Sequence, residues 1–164
     1  MGNSLDIHEL YAASYGRLVV QVYAFCGDLT DAEDAVQEAF VTALRKQHQL
    51  SRADSPEAWI RAVAFNRVRN TWRHRGVVRK YQAAVRGPQS SPEVGPEHVA
   101  LVTALAHLDE DQRQVLVLHH LADLSCAEIA AYLDLNEGTV KSRLSRARSR
   151  LAALLQDEEE PRNA

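Results

Sequence analysis

The stretch SCAEIAAYLDLNEGTVKSRLSRARSRL, residues 125–151, decides the fold of the C-terminal part of this chain. Ser125 and Glu128 stand in the S-x-x-E relation of a capping box, which predicts a helix that begins at Cys126. The triplet DLN at 134–136 interrupts the apolar periodicity of that helix, and a second periodic segment follows at once. A capped helix, a short break and a second helix are the pattern of a helix-turn-helix.

The second helix of this pattern has a composition suited to DNA binding. Its apolar positions lie at helical spacing on one face: Val140, Leu144, Ala147 and Leu151. Its basic residues fill much of the remaining surface, with no acidic residue from 138 to 156: Lys141, Arg143, Arg146, Arg148 and Arg150. A recognition helix needs both features, because it buries one face and offers donors to phosphates and base edges on the other. Taken alone, the stretch also fits a solvated amphipathic surface helix.

The segment SPEAWIRAVAFNRVRNTWRHR, residues 55–75, predicts a helix with Ser55 as its cap and Pro56 in the first turn. One face can be buried through Trp59, Ile60, Val63, Ala64 and Val68. The other face would present Arg61, Phe65, Asn66, Arg69, Asn70, Trp72 and Arg73. Such a face suits melted nucleic acid, since guanidinium groups follow the backbone while aromatic rings stack on unpaired bases. The alternative for Phe65 and Trp72 is a place in the helical core.

The segment DLTDAEDAVQEAFVTALRK, residues 28–46, predicts an acidic amphipathic helix with a capping box of Thr30 and Glu33. Its core residues would include Val36, Phe40 and Leu44. Its exposed polar residues would be Asp31, Asp34, Gln37, Glu38 and Arg45. An acidic helix face suits a basic protein partner, because complementary charge orients the encounter and raises its rate. A solvated acidic face is the alternative for this segment taken alone.

Charge is segregated along the 164 residues, so the formal net charge of −3 does not exclude nucleic-acid binding. No acidic residue occurs from 58 to 92, where eight basic residues do: Arg61, Arg67, Arg69, Arg73, Arg75, Arg79, Lys80 and Arg86. With the basic block of the helix-turn-helix, this predicts two nucleic-acid surfaces.

Strand periodicity is nearly absent, so we predict an all-α fold of two small helical domains joined by a flexible linker. An opening helix covers about 5–26, and a polar stretch at about 47–54 precedes the third helix. Gly and Pro punctuation places the linker near the middle of the chain. The predicted division is 1–85 for the first domain, 86–96 for the linker, 97–156 for the second domain and 157–164 for an acidic tail.

Several classes of site are not predicted. His119 and His120 lie near Cys126, but adjacent histidines on a helix point about 100° apart and the spacing of a metal site is missing, so we predict no metal. No nucleotide-binding loop or nucleophile motif occurs, so we predict neither a cofactor nor an enzyme. No signal peptide or transmembrane segment is evident, and Cys26 and Cys126 suggest buried thiols, so we expect a cytoplasmic protein.

The three segments together resemble bacterial sigma factors of the extracytoplasmic-function (ECF) type, over roughly residues 5–155. The resemblance implies that 28–46 docks on a coiled coil of the largest RNA polymerase subunit, while 55–75 melts and reads the minus-10 element. The family's central Asn of this helix is matched by Asn66, and its terminal aromatic residue by Trp72. The stretch 47–54 corresponds to the variable loop of the family, which adds to the specificity for the minus-10 element.

In the same resemblance the second helix of the helix-turn-helix reads the minus-35 element. The implied DNA contacts are Thr139, Lys141, Ser142, Arg143, Ser145 and Arg146. Relatives often carry His or an aromatic residue where this chain has Ser145, and usually Gly in the turn where it has Asp134. Asp tolerates the left-handed conformation better than most residues, so the turn can persist.

The resemblance implies a transcription initiation factor whose partners are core RNA polymerase, including the flap of its second-largest subunit, promoter DNA and an anti-sigma factor if one exists. The main rival is a stand-alone helix-turn-helix regulator that binds duplex DNA as a dimer. An adaptor that sequesters a protein partner is a further alternative, but it leaves both basic blocks unexplained.

Overall fold

The computed structural model describes residues 5–75 and 95–159. Within these ranges the chain is helical and contains no strand, so the all-α prediction is confirmed. The predicted linker, 86–96, lies outside the described residues except for Gly95 and Pro96, and so do Arg79, Lys80, Arg86 and the last five residues of the tail.

Eight α-helices and one π-helical turn are present in the described ranges. The helices are α1 Ile7–Cys26, α2 Leu29–Arg45, α3 Gln47–Ser51, α4 Pro56–Arg75, α5 Pro96–Leu105, α6 Glu110–Leu116, α7 Cys126–Leu133 and α8 Glu137–Glu159. The π-helical turn, Val117–Leu121, continues α6. Helix α8 runs into the predicted acidic tail, so the first three tail residues, 157–159, are helical.

Helices α1, α2 and α4 form the core of the N-terminal part, with α2 packed against both of the others. The rings of Phe25 and Phe65 lie 4.9 Å apart at its centre, and both side chains are fully buried. Helix α1 ends at Gly27, whose φ of 77° is the left-handed conformation that glycine adopts without strain. The chain can therefore reverse at once into α2.

Three sequence predictions about this part are wrong. Helix α2 is capped by Asp28, which accepts a hydrogen bond from the Asp31 amide at 3.0 Å, and not by Thr30. Leu44 was expected in the core but is 53% exposed. The expected loop at 47–54 contains the short helix α3, because Leu50 is fully buried and anchors this segment to the core.

The C-terminal part packs α8 against α6 and α7, with Ile129, Val140, Leu144 and Ala147 buried between them. This part also contacts the N-terminal part, because α1 packs against α5, α6 and the π-helical turn. One apolar core therefore extends through both predicted domains. Helices α4 and α8, which the sequence predicts to contact DNA, are thereby held in one compact arrangement.

Candidate nucleic-acid interface

Helix α7 begins where the sequence predicts. Ser125 Oγ accepts a hydrogen bond from the Glu128 amide at 3.1 Å, and Glu128 Oε2 accepts one from the Ser125 amide at 2.7 Å. The hydrogen bond that the carboxylate accepts from the Ser125 amide, together with one from the Ser125 side chain, favours the ionised form and lowers the pKa of Glu128. The capping box and the start at Cys126 are confirmed, and they fix the first helix of the helix-turn-helix.

The turn after α7 depends on Asp134, which adopts the left-handed conformation with φ 55° and ψ 50°. The amide of Leu135 donates to the carbonyl of Ala130 at 2.9 Å, which satisfies one of the last carbonyl groups of the helix. The prediction that Asp can occupy this turn is confirmed. Helix α8 then starts at Glu137, directly behind the turn.

Helix α8 separates an apolar face from a polar one. Val140, Leu144 and Ala147 are at most 2% exposed and pack toward α6 and α7. The predicted DNA contacts divide into exposed Lys141, Ser142, Ser145 and Arg146 and half-buried Thr139 and Arg143. All six therefore lie on a helix whose opposite face is fixed in the core, as a recognition helix requires.

The basic side chains of α8 already contact acceptors within the protein. Lys141 Nζ lies 3.2 Å from Glu137 Oε1 in the same helix, and Arg146 Nε donates to the Ser142 carbonyl at 3.3 Å. Arg143 Nη2 lies 3.7 Å from Asp111 Oδ2, which belongs to α6. The Lys141 pair is solvent-exposed and contributes little, so a DNA phosphate can replace its carboxylate.

Gly138 offers a stability test near the start of α8. A Cβ atom at this position would meet no heavy atom within 4 Å. Gly138→Ala is therefore expected to raise the free energy of unfolding by up to about 1 kcal/mol, because Ala loses less conformational entropy in a helix than Gly. Thermal unfolding followed by circular dichroism measures the change. A lower melting temperature would show that the backbone here is not free to accept a side chain.

Helix α4 only partly matches its predicted faces. Its cap is as predicted, since Ser55 Oγ accepts a hydrogen bond from the Ala58 amide at 3.2 Å. Two residues expected on the exposed face are buried: Phe65 is 0% and Arg61 is 6% exposed. The prediction of exposure is wrong for both, and the alternative of a core position holds for Phe65, whose ring packs on Phe25.

The remaining predicted residues of α4 stay at or near the surface. Asn66, Asn70 and Arg73 are exposed, and their spacing of four and three residues places them on one face. Arg69 and Trp72 are half-buried. The exposed part of the candidate minus-10 face is therefore a strip of two amides and one guanidinium group, flanked by a partly covered indole ring.

The acidic side of α2 borders a groove of about 370 Å³ between α2 and α4. Four of the five predicted polar residues line it: Asp31, Asp34, Gln37 and Glu38. The fifth, Arg45, is exposed but is not part of the lining. The structure therefore brings most of the predicted docking residues together on one concave surface.

Two features of this groove were missed from the sequence. Arg67 of α4 lies across it, with Nη2 4.0 Å from Glu38 Oε2. Val41 lines the groove and is 39% exposed. Leu44, three residues later in α2, is 53% exposed. Exposed apolar side chains beside charged groups are typical of protein–protein contact surfaces. Only the packing of α4 against α2 reveals this combination.

Other chemistry finds no support in the described part of the chain. Within 5–75 and 95–159, no group of three His, Cys, Asp or Glu residues is placed to hold a metal ion. The Sγ of Cys26 donates to the Asp28 carbonyl at 3.2 Å, and burial of the thiol raises the pKa of Cys26 to about 12, so it is protonated at neutral pH. No helix in these ranges is long and apolar enough to cross a bilayer.

Comparison with known proteins identifies both parts of the chain. Residues 10–77 match the family model for Sigma-70 region 2, and residues 98–151 match that for Sigma-70 region 4. The probable RNA polymerase sigma-C factor of Mycobacterium bovis is 34% identical over 138 residues, which cover 79% of this chain and 73% of that protein. The ECF RNA polymerase sigma factor SigL of Mycobacterium tuberculosis is 33% identical, with 92% of this chain and 88% of SigL covered. The chain belongs to the sigma-70 family, as a sigma factor of the ECF type.

Solved structures support the same assignment. The sigma factor RpoE of Bartonella quintana, in complex with the anti-sigma factor NepR, matches with a TM-score of 0.76 at 26% identity, covering 92% of this chain and 97% of RpoE. CnrH in complex with the cytosolic domain of CnrY matches with a TM-score of 0.68 at 28% identity, covering 96% and 92%. This sigma factor therefore acts with RNA polymerase in promoter-specific transcription initiation. The rival of a stand-alone regulator is not favoured, because the N-terminal part matches region 2.

Proposed function

We propose that three helices divide the work of this sigma factor: α2 docks on core polymerase, α4 holds the opened minus-10 strand, and α8 reads the minus-35 duplex. The observation that supports this most is the geometry of α8. Its apolar face is buried in region 4 while Lys141, Ser142 and Arg146 lie exposed on the other side. That is the presentation a major groove requires.

The surface of this protein that docks on core polymerase would be the groove between α2 and α4. Its acidic rim and exposed Val41 combine charge complementarity for a basic coiled coil with an apolar contact. We assign the coiled coil of the largest subunit to this groove and the flap of the second-largest subunit to region 4. Because it would act with polymerase, we propose that the protein is cytoplasmic and that it performs no catalysis of its own.

The domain limits we propose are 1–85 for region 2, 86–96 for the linker, 97–156 for region 4 and 157–164 for the tail. An anti-sigma factor is a further proposed partner, since the similar sigma factor RpoE is solved in complex with the anti-sigma factor NepR, and CnrH is solved in complex with the cytosolic domain of CnrY. Such an anti-sigma factor would contact both regions of this chain.

Arg146→Ala tests the minus-35 assignment against Arg150→Ala as a matched control on the same helix. Both side chains are exposed and both changes remove one charge. If Arg146 reads a base, its removal should cost about 1–3 kcal/mol of discrimination between promoter variants, whereas removal of a phosphate-contacting Arg150 should weaken all sequences alike. Fluorescence anisotropy of the holoenzyme on minus-35 duplexes with single base changes measures both. If both variants lose the same affinity on every duplex, whatever its sequence, base reading by Arg146 is contradicted.

A further inference from the structure

Two arginines of α8 contact other elements of region 4. Arg143 Nη2 lies 3.7 Å from Asp111 Oδ2 of α6, and Arg148 Nε donates to His120 Nε2 of the π-helical turn at 3.3 Å. The side chain of Arg143 is 26% exposed, whereas that of Lys141, which pairs with a residue of α8 itself, is 64% exposed. Two of the five basic residues of this helix are therefore tied to the domain that carries it.

These two arginines lie at opposite edges of the buried face of α8. The buried face consists of Val140, Leu144 and Ala147. At about 100° per residue, Arg143 and Arg148 lie about 70° to either side of the middle of this face. Contacts at both edges oppose rotation of the helix about its own axis in both directions.

The rotation of α8 decides which atoms can reach a base. Apolar burial depends on area and is non-directional, whereas polar contacts depend on distance and angle and restrain a rotation more sharply. A rotation of about 10° moves a side-chain tip that is about 5–6 Å from the helix axis by about 1 Å. Because good hydrogen bonds span only about 2.7–3.2 Å, such a shift is enough to lose a contact with a base edge. Base reading by Arg146 therefore depends on how α8 is held.

His120 can accept the hydrogen bond from Arg148 only in its neutral form. Its Nε2 must then carry no proton. Burial lowers the pKa of His120, and the charge of Arg148 and the neighbouring His119 lower it further, so the imidazole is neutral at neutral pH. The contact with Arg148 is therefore available at neutral pH.

We propose that Asp111 and His120 are positioning residues for minus-35 recognition, which set the rotation of α8 through Arg143 and Arg148 without contacting DNA themselves. Arg143, which the sequence predicts as a DNA contact, acts in this arrangement from within the protein. This inference rests on the proposed assignment of α8 to the minus-35 duplex.

The sign of the effect separates positioning by Asp111 from plain electrostatics. Asp111 carries a negative charge close to the surface that would meet DNA. If it were only a solvated carboxylate, its removal would strengthen binding to every duplex, because repulsion of the phosphates is lost. Loss of a positioning contact instead reduces the preference for the correct sequence over sequences with a changed base.

The test compares holoenzymes that carry wild-type protein, Asp111→Asn, Asp111→Glu or the control Asp109→Asn. Asp109 is exposed and makes no side-chain hydrogen bond to the start of α6. Fluorescence anisotropy gives Kd for the minus-35 duplex of a promoter that the holoenzyme transcribes, and for duplexes with single base changes. We expect Asp111→Asn to lower the ratio between these Kd values by about threefold, which a weak, exposed ion pair can supply. Asp111→Glu and the control should keep the wild-type ratio.

His120→Phe tests the other edge of the buried face. It keeps a flat ring and removes the acceptor for Arg148. We expect a loss of discrimination of about threefold again. Together with Asp111→Asn in one chain, the loss should exceed that of either change alone, because neither edge of α8 is then held.

Salt dependence shows whether Arg143 contacts a phosphate. Removing one phosphate contact reduces the slope of log Kd against log salt concentration by about 1. Lys141→Gln, which removes an exposed charge of α8, should show that reduction. Arg143→Gln should instead keep the wild-type slope and lose discrimination as Asp111→Asn does.

The outcomes separate this proposal from the assignment on which it rests. Unchanged discrimination with Asp111→Asn would overturn it, whether or not the melting temperature of the variant falls. An equal reduction of the salt slope with Arg143→Gln and with Lys141→Gln would overturn it as well. Failure of the α8 assignment has a different signature, because the wild-type holoenzyme would then not distinguish the minus-35 duplexes at all.

Discussion

Phe65→Ala is expected to lower the free energy of unfolding by about 3–5 kcal/mol, the usual cost of truncating a buried aromatic ring to alanine. The side chain is 0% exposed, and its ring lies 4.9 Å from that of Phe25. Removing it leaves a cavity where α1 and α4 meet. Because a domain has only about 5–15 kcal/mol of stability, this loss is a large fraction of the total.

Urea denaturation followed by circular dichroism measures this loss. Phe65→Leu restores most of the volume and should recover most of the stability. Asn66→Ala is the matched control, since it alters the adjacent, exposed side chain and should change stability by no more than about 0.5 kcal/mol. A loss of no more than about 0.5 kcal/mol for Phe65→Ala would contradict the core position of this ring.

Asp34→Lys together with Glu38→Lys should abolish most of the affinity for core polymerase. The two carboxylates lie one turn apart on the exposed side of α2 and line the groove beside α4. Reversing them turns attraction to a basic partner into repulsion, and losing one member of a charge pair that the interface buries costs about 2–5 kcal/mol. A loss of about 30-fold or more in Kd is therefore expected.

Titration of labelled core polymerase with each variant measures the affinity. Glu9→Lys plus Asp157→Lys is the control, because it makes the same change in charge at exposed positions on α1 and near the end of α8. The control should bind within about threefold of wild type, as expected for charges remote from the contact. Similar losses of affinity in both double variants would show that the net charge of this protein, and not the groove beside α2, determines its binding to polymerase.

Local signals were enough to predict the helix-turn-helix. The capping box at Ser125 and Glu128, the left-handed turn at Asp134 and the apolar spacing along α8 each act within a few residues. Such features do not depend on partners that are distant in sequence. For the same reason the start of α4 at Pro56 was predicted correctly.

The faces of α4 and α2 could not be assigned in this way, because each is set by the packing of other helices. Phe65 is buried because α1 places Phe25 against it, and Arg61 is buried because Gln21 supplies a hydrogen-bond acceptor. Leu44 falls on the apolar stripe of α2 by periodicity, yet it remains 53% exposed. Helical spacing shows which residues share a face, but not which faces are covered.

The contacts of α6 were equally out of reach from the sequence. Glu110 lies 41 positions from its partner Arg69, and Asp111 lies 32 positions from Arg143. From the sequence alone, an acidic turn of this kind is interpreted as a solvated surface, because no neighbouring residue indicates which arginines contact it. Glu110 meets Arg69 because region 4 packs against α1, whereas Asp111 meets Arg143 because α6 packs against α8 within region 4.

The most direct test of initiation by this sigma factor is run-off transcription with purified bacterial core polymerase, the full-length protein and a library of upstream DNA fragments. We predict discrete transcripts that require the protein and become weaker with Asn66→Ala, an exposed residue of α4. Absence of transcripts and of polymerase binding, with specific binding of duplex DNA by the protein alone, would contradict the assignment.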